Sequence, residues 1–155
     1  KNLKLEFKKN NIEPERIIFS QKLHISEHLS RIKFADLFLD TFPYNAHTSC
    51  SDSIWAGLPV LTLEGNSFQS RVASSLLKTS GLNELIAKNK EEYIEKAVHI
   101  AKNKDYLNFL KNKLINSKEY NPLFDNKSFT NNIENAYLIV LEKYFNKKDP
   151  EDIYL

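Results

Sequence analysis

The sequence predicts an α/β fold: a parallel sheet flanked by helices, followed by a helical C-terminal third. Three observations carry that reading. Short apolar runs of strand length alternate with helix-like segments as far as Ala87, glycines stand where two of those helices should end, and beyond Lys90 the β-branched clusters give way to helical spacing. Buried strands alternating with helices imply parallel pairing through right-handed crossovers. With 155 residues, 41% hydrophobic and 12% aromatic, the chain can bury a core of its own, and only Lys147 to Glu151 reads as a frayed tail.

Taken in order, Leu3 and Phe7 lie four apart among charged residues and read as the end of a helix begun further upstream. The chain also contains no methionine, so it is expected to be a piece of a longer protein. Asn11 to Pro14 is a loop, and Arg16-Ile17-Ile18-Phe19 is the first strand candidate. Ser26-Glu27-His28 can start a helix running through Leu29, Ile32 and Phe34, after which Asp36 to Asp40 forms a second strand. Thr48 and Ser49 are suitable N-caps for a helix from about Ser51 to Ala56, which Gly57 ends in a left-handed C-cap. Pro59 to Leu63 is a third strand. A helix from Gln69 to Thr79 closes at Gly81, and Leu85 to Ala87 is a weak fourth strand. In the last third, Tyr93, Ile94, Ala97, Val98 and Ala101 share one helical face, and Tyr106, Leu107, Leu110 and Leu114 share another. Asn121 to Phe124 breaks the run. Phe129 to Phe145 then forms a long amphipathic terminal helix.

Composition removes several functions. The chain holds 22 basic and 20 acidic side chains, a net charge of +2, too balanced for a protein that neutralises a nucleic-acid backbone. No apolar run approaches the ~20 residues needed to span a bilayer. The single cysteine, Cys50, allows neither an internal disulfide nor a multi-cysteine zinc site and suits the cytoplasm; it reads as a small packing residue. His24 and His99 have no metal-ligand companions in the sequence, and Trp55 reads as helix packing.

The chemistry concentrates between Leu39 and Pro59, where the carboxyl end of a strand meets a helix start. In open α/β sheets that is where ligands bind. Free amides and the helix dipole there favour a phosphate, and Thr48 and Ser49 add hydroxyl donors. Asp52, one turn further in, can accept from ribose hydroxyls. Spacing alone leaves open whether Thr48, Ser49 and Asp52 hold a ligand or only cap a helix. His28 and Arg31, three apart on one helix face, can stack on a base and donate to its carbonyls, or can be surface polars. Gly65 to Ala73 repeats the strand-to-helix pattern, with Arg71 as either a ligand contact or a loop clamp.

The segments Arg16-Ile-Ile-Phe-Ser, Glu27-His28 with Arg31, Ala35-Asp36-Leu-Phe-Leu-Asp40-Thr41, Asn45-Ala46-His47-Thr48-Ser49 with Asp52, and Ile54-Trp55-Ala56-Gly57-Leu58-Pro59 together closely resemble one family. It is the C-terminal catalytic lobe of O-GlcNAc transferases and their SPINDLY-like relatives. The likeness extends through Ser70-Arg71-Val72-Ala73 and Glu84-Leu85-Ile86-Ala87 to the terminal helix, nearly the whole chain. It implies the GT-B architecture of two Rossmann-like lobes, with residues 1–120 as the nucleotide-sugar-binding lobe, 121–146 as a C-terminal helix packing back on the GT-B fold and 147–155 as a tail. Carried over by position, His28 would pack on the nucleoside, Arg31 and the backbone near Leu23 would meet the base, His47, Thr48 and Ser49 would engage the diphosphate, and Asp52 would bind the ribose. The family is metal-independent and uses no cofactor beyond its nucleotide-sugar donor. UDP-GlcNAc is the first donor expected, with inverting transfer to Ser/Thr hydroxyls of proteins; a GDP-sugar-dependent transferase, a degenerate binding lobe and a small-molecule GT-B enzyme are the alternatives. Ile25 stands where the family carries a basic residue, a contact that Lys22 or His24 could supply. The phosphate-binding lysine, the N-terminal lobe and tetratricopeptide repeats are expected upstream, so this piece by itself should bind donor weakly and catalyse nothing.

Overall fold

A computed structural model describes residues 2–154. Seven α-helices and three strands are formed there: α1 (Asn2–Lys9), α2 (Ile25–Ile32), β1 (Phe38–Leu39), α3 (Thr48–Ala56), β2 (Val60–Leu63), α4 (Val72–Thr79), β3 (Ile86–Ala87), α5 (Lys90–Lys102), α6 (Lys104–Ser117) and α7 (Asn126–Phe145). The sheet has the order β1-β2-β3 and is parallel throughout, with Phe38 opposite Val60 and Thr62 opposite Ile86. All four residues of β2, the central strand, are buried, as a strand covered on both faces requires. Cys50, Ile54, Val60, Leu77, Leu85, Ile100, Leu110 and Leu114 join in one core.

The α/β class and parallel pairing are as the sequence predicts, but the first strand is not formed. Pro14–Arg16 makes a 3-10 turn, and the residues after it run on without pairing, leaving Ile18 86% and Phe19 62% exposed. A strand exists only through its neighbours' hydrogen bonds, and among the described residues none lies alongside this one. Helix α2 stops at Ile32, before Phe34, where Phe34 and Ala35 donate to Arg31 and Ile32 in a tightened last turn. Helix α3 begins three residues earlier than expected, and α4 three residues later. On α5 the period is right and the phase is not: Tyr93, Lys96, Ala97 and Ile100 turn inward, while Ile94, Val98 and Ala101 face out. The inward face of α6 is the one predicted. The tail is also tied back, by an ion pair of 2.6 Å between Lys143 and Glu151.

Gly57 ends α3 as expected. Its φ of +81° is costly for a side-chain-bearing residue, and Gly57 and Leu58 donate to Ile54 and Ser53 in a Schellman closure. Gly65 serves differently. A Cβ there would stand 2.5 Å from Ser70 Oγ and 2.8 Å from Phe42, so only glycine lets the loop after β2 fold down onto the loop after β1.

Candidate functional site

The loop leaving β1 is organised by Asp40, which is 6% exposed. One carboxylate oxygen accepts from the backbone amides of Thr41 (2.8 Å) and Ala46 (2.7 Å), and the other from the Thr62 hydroxyl (2.7 Å). Asn45, 2% exposed, donates from Nδ2 to Thr62 Oγ1 and to the Leu63 carbonyl, both at 2.8 Å. Tyr93 on α5 donates its hydroxyl to the Asp40 carbonyl at 2.8 Å, and burial together with the Asp40 charge pushes that phenol up to about 12. Residues from β1, β2 and α5 therefore fix the shape of one turn. Buried hydrogen bonds that tie a loop to neighbouring segments in this way hold its shape.

That turn delivers His47 to the N-cap of α3, but without a capping hydrogen bond from its side chain. Thr48 and Ser49 are thus the first two helical residues and not the caps. Their amides, with the hydroxyls beside them, stand at the helix N-terminus where an anion is favoured, and Asp52 follows one turn further in. The His47 ring stacks on Tyr44 (centroids 5.3 Å apart, planes 17° apart) and meets the edge of Phe68 at 5.9 Å. His47 Nε2 and Asn45 Oδ1 are both buried without a hydrogen-bond partner among the described residues. An open cavity of about 830 Å³ lies here, lined by Asp40, Tyr44, His47, Thr48, Ser49 and Asp52 among others.

A second cavity, about 770 Å³, lies against α2 and is lined by Leu23, His24, Ile25, His28 and Arg31. The Arg31 guanidinium donates to the Gln21 carbonyl and to His28 Nδ1, both at 2.9 Å. Arginine can only donate, so Nδ1 is the acceptor and His28 carries its ring proton on Nε2. Arg31 is partly spent on shaping this cavity and orienting His28. An apolar cavity of about 370 Å³ shares His28 with the α2 cavity and Phe38 and Ser49 with the α3 cavity. Of the seven sequence-predicted positions, Leu23, His28 and Arg31 line the α2 cavity and His47, Thr48, Ser49 and Asp52 line the α3 cavity.

The other candidates lie elsewhere. Cys50 is fully buried, its thiol pushed up to about 12 by burial and by Asp40, and is a packing residue as expected. Trp55 packs edge-on against Phe124, with the Lys118 ammonium 3.7 Å from its ring centroid. Arg71 precedes α4, where its carbonyl accepts from Ser74. Asp40, Asn45 and Thr62 were not among the predicted site residues. An aspartate closing an apolar strand at a ligand-binding edge was the available signal for Asp40; nothing local marks Thr62.

A parallel α/β sheet whose strand-end loops gather around one groove is the class of protein that fold and site define. The sequence model of Glycosyl transferase family 41 matches residues 1–133, and the chain belongs to that family. It is similar to a probable UDP-N-acetylglucosamine–peptide N-acetylglucosaminyltransferase, SEC, of Arabidopsis thaliana (38% identity over 90% of this chain) and to the corresponding Caenorhabditis elegans transferase (35% over 86%). SPINDLY of Solanum lycopersicum is 34% identical over 86% of the chain. The chain spans only 12 to 14% of the length of these relatives. A solved structure of a Thermobaculum terrenum O-GlcNAc transferase mutant superposes with a TM-score of 0.82 at 32% identity, covering 88% of this chain and 26% of that one. The fold is that of the O-GlcNAc transferases, the GT-B architecture, as the resemblance implies. No described helix is long and apolar enough to cross a membrane.

Proposed function

We propose that this chain is the donor-binding part of an inverting protein O-glycosyltransferase that moves GlcNAc from UDP-GlcNAc to Ser/Thr hydroxyls. The observation that carries the reading is that one apolar cavity shares His28 with the α2 cavity and Ser49 with the cavity at the α3 N-terminus. A nucleoside diphosphate has a flat base, a ribose and two phosphates; the α2 cavity offers His28, Arg31 and Leu23 to a base, and the α3 cavity offers Asp52 to a ribose and His47, Thr48 and Ser49 to phosphates. The relatives' names, UDP-N-acetylglucosamine–peptide N-acetylglucosaminyltransferases, support the donor and the acceptor class.

In this reading the acceptor hydroxyl oxygen attacks the anomeric carbon from the face opposite the leaving group, its proton passes to a base among the acceptor-side groups of the parent chain, the bond to the phosphate oxygen breaks, and the nucleoside diphosphate departs with that electron pair. The charge that develops on its phosphate falls at the α3 amides and the Thr48 and Ser49 hydroxyls, which are already oriented and need no metal ion to neutralise it. Acceptor-side groups, a phosphate-binding lysine and tetratricopeptide repeats belong to the rest of a cytoplasmic parent chain, and α7 packs back onto that larger enzyme.

The test is calorimetric titration of this chain with UDP, GDP and ADP, using Asp52→Ala as control. Saturable UDP binding weakened by the substitution is the expected result. Preference for GDP moves the donor to a GDP-sugar, and absence of all binding, together with unchanged activity of an Asp52→Ala parent enzyme, identifies a degenerate lobe.

A further inference from the structure

We infer that Tyr93 is a positioning residue for the donor diphosphate: its hydroxyl, reaching from α5, fixes the end of β1 and with it the turn that presents the amides of Thr48 and Ser49. This rests on the donor-site reading above. The Tyr93 hydroxyl donates to the Asp40 carbonyl at 2.8 Å, across 53 positions of the sequence. Tyr93 does not line the cavities at α2 and α3, so what it does for a ligand passes through that carbonyl.

Two anchors meet at Asp40. Its carboxylate closes the turn on itself through Thr41 and Ala46 and ties it to β2 through Thr62. Its carbonyl ties the same turn to α5. That helix is in turn pinned beside β3, where Lys96 donates to the Glu84 and Ile86 carbonyls at 2.8 and 2.9 Å and Glu92 accepts from the Lys88 amide at 2.8 Å. One helix therefore holds the end of β3 and the end of β1 together, and Tyr93 is the contact through which it reaches the donor turn. The phenol, pushed up to about 12 by burial and by the Asp40 charge, keeps its proton and remains a donor at neutral pH. Without the hydroxyl, the Asp40 carbonyl loses that partner and the turn can shift towards another. Hydrogen bonds weaken steeply with misalignment, so a small shift of the turn is felt by the phosphates that the α3 amides must meet.

The experiment compares wild type, Tyr93→Phe and Ile100→Val by amide NMR spectra without ligand and by calorimetric titration with UDP and GDP, scored on the diphosphate that the wild type binds. Tyr93→Phe deletes one oxygen. Ile100→Val trims a buried core side chain further along the same helix and reports the general cost of loosening α5. One neutral hydrogen bond corresponds to about fivefold in an equilibrium constant. Tyr93→Phe is expected to shift the amide signals of Thr41, Ala46, Thr48 and Ser49 and to weaken diphosphate binding by about that factor. Ile100→Val is expected to lower the urea midpoint while leaving those four signals in place and the affinity within about twofold of wild type. Unmoved turn signals in Tyr93→Phe, moved signals with unchanged affinity, or an equal loss of affinity in Ile100→Val each overturn the inference, the last by showing that a loosened fold is enough. A wild type that binds neither diphosphate overturns the donor-site reading and this inference with it, and is recognised before any variant is made.

Discussion

Between Cys50 and Leu114 every helix and strand contributes to one closed core, whereas α1, α2 and α7 bury no residue at all. Both regions carry apolar side chains at helical spacing. On α6, which packs on α3 and α5, Leu110 and Leu114 join the core; on α7, Phe129, Tyr137, Leu141 and Tyr144 meet solvent. The difference teaches that amphipathic spacing decides that a helix forms, while the neighbour it meets decides whether that helix contributes stability. The candidate site straddles the two regions: its α3 end rests on the closed core, and its other end on α2, at the margin.

The comparison breaks first at Leu110, which is fully buried. Leu110→Ala should cost about 3 to 4 kcal/mol in urea denaturation, since the cavity it leaves adds to the lost burial. Asp40→Ala strands the amides of Thr41 and Ala46 and the Thr62 hydroxyl, and should cost about 3 kcal/mol. It should also abolish diphosphate binding, because the turn that presents α3 loses its anchor, and calorimetry on folded variant protein reads this separately.

A smaller effect tests the edge of the centre. Lys78 and Ser74 both donate to one oxygen of Glu64, at 2.6 and 2.8 Å, and hold its carboxyl below the ordinary glutamate value of 4.5. A folded-state value below the unfolded one stabilises fully above pH 4.5 and is lost as the pH falls through the folded value. The stability gap between wild type and Glu64→Gln should therefore narrow in urea titrations as the pH drops below that point. Smallest of all, Tyr137→Ala on α7 should stay within about 0.5 kcal/mol in this chain. A larger loss would mean that α7 is held by contacts stronger than its exposure shows.

Much of the site was legible because its chemistry is local. Thr48, Ser49 and Asp52 are adjacent in sequence, and a helix beginning there after a strand leaves its amides free wherever the rest of the chain goes. His28 and Arg31 share a helix face by spacing alone, and the 2.9 Å contact between them follows from it. The link from Asp40 to Thr62 spans 22 positions and joins two strands, so no local pattern announces it. The strand expected at Arg16 to Phe19 failed for the same reason in reverse, since its apolar residues are right and its partner is not beside it.

The sequence by itself determined the alternation of helix and strand, the glycine stop at Gly57, and the nearness of Thr48, Ser49 and Asp52 to one another after β1, because each depends on residues a few positions apart. The tertiary structure decided which strands pair, which face of α5 turns inward, where α3 begins, and that Tyr44 stands exposed with one face braced by His47. Those outcomes depend on hydrogen bonds and packing between segments far apart in the chain, and burial is a property that only the assembled neighbours can confer.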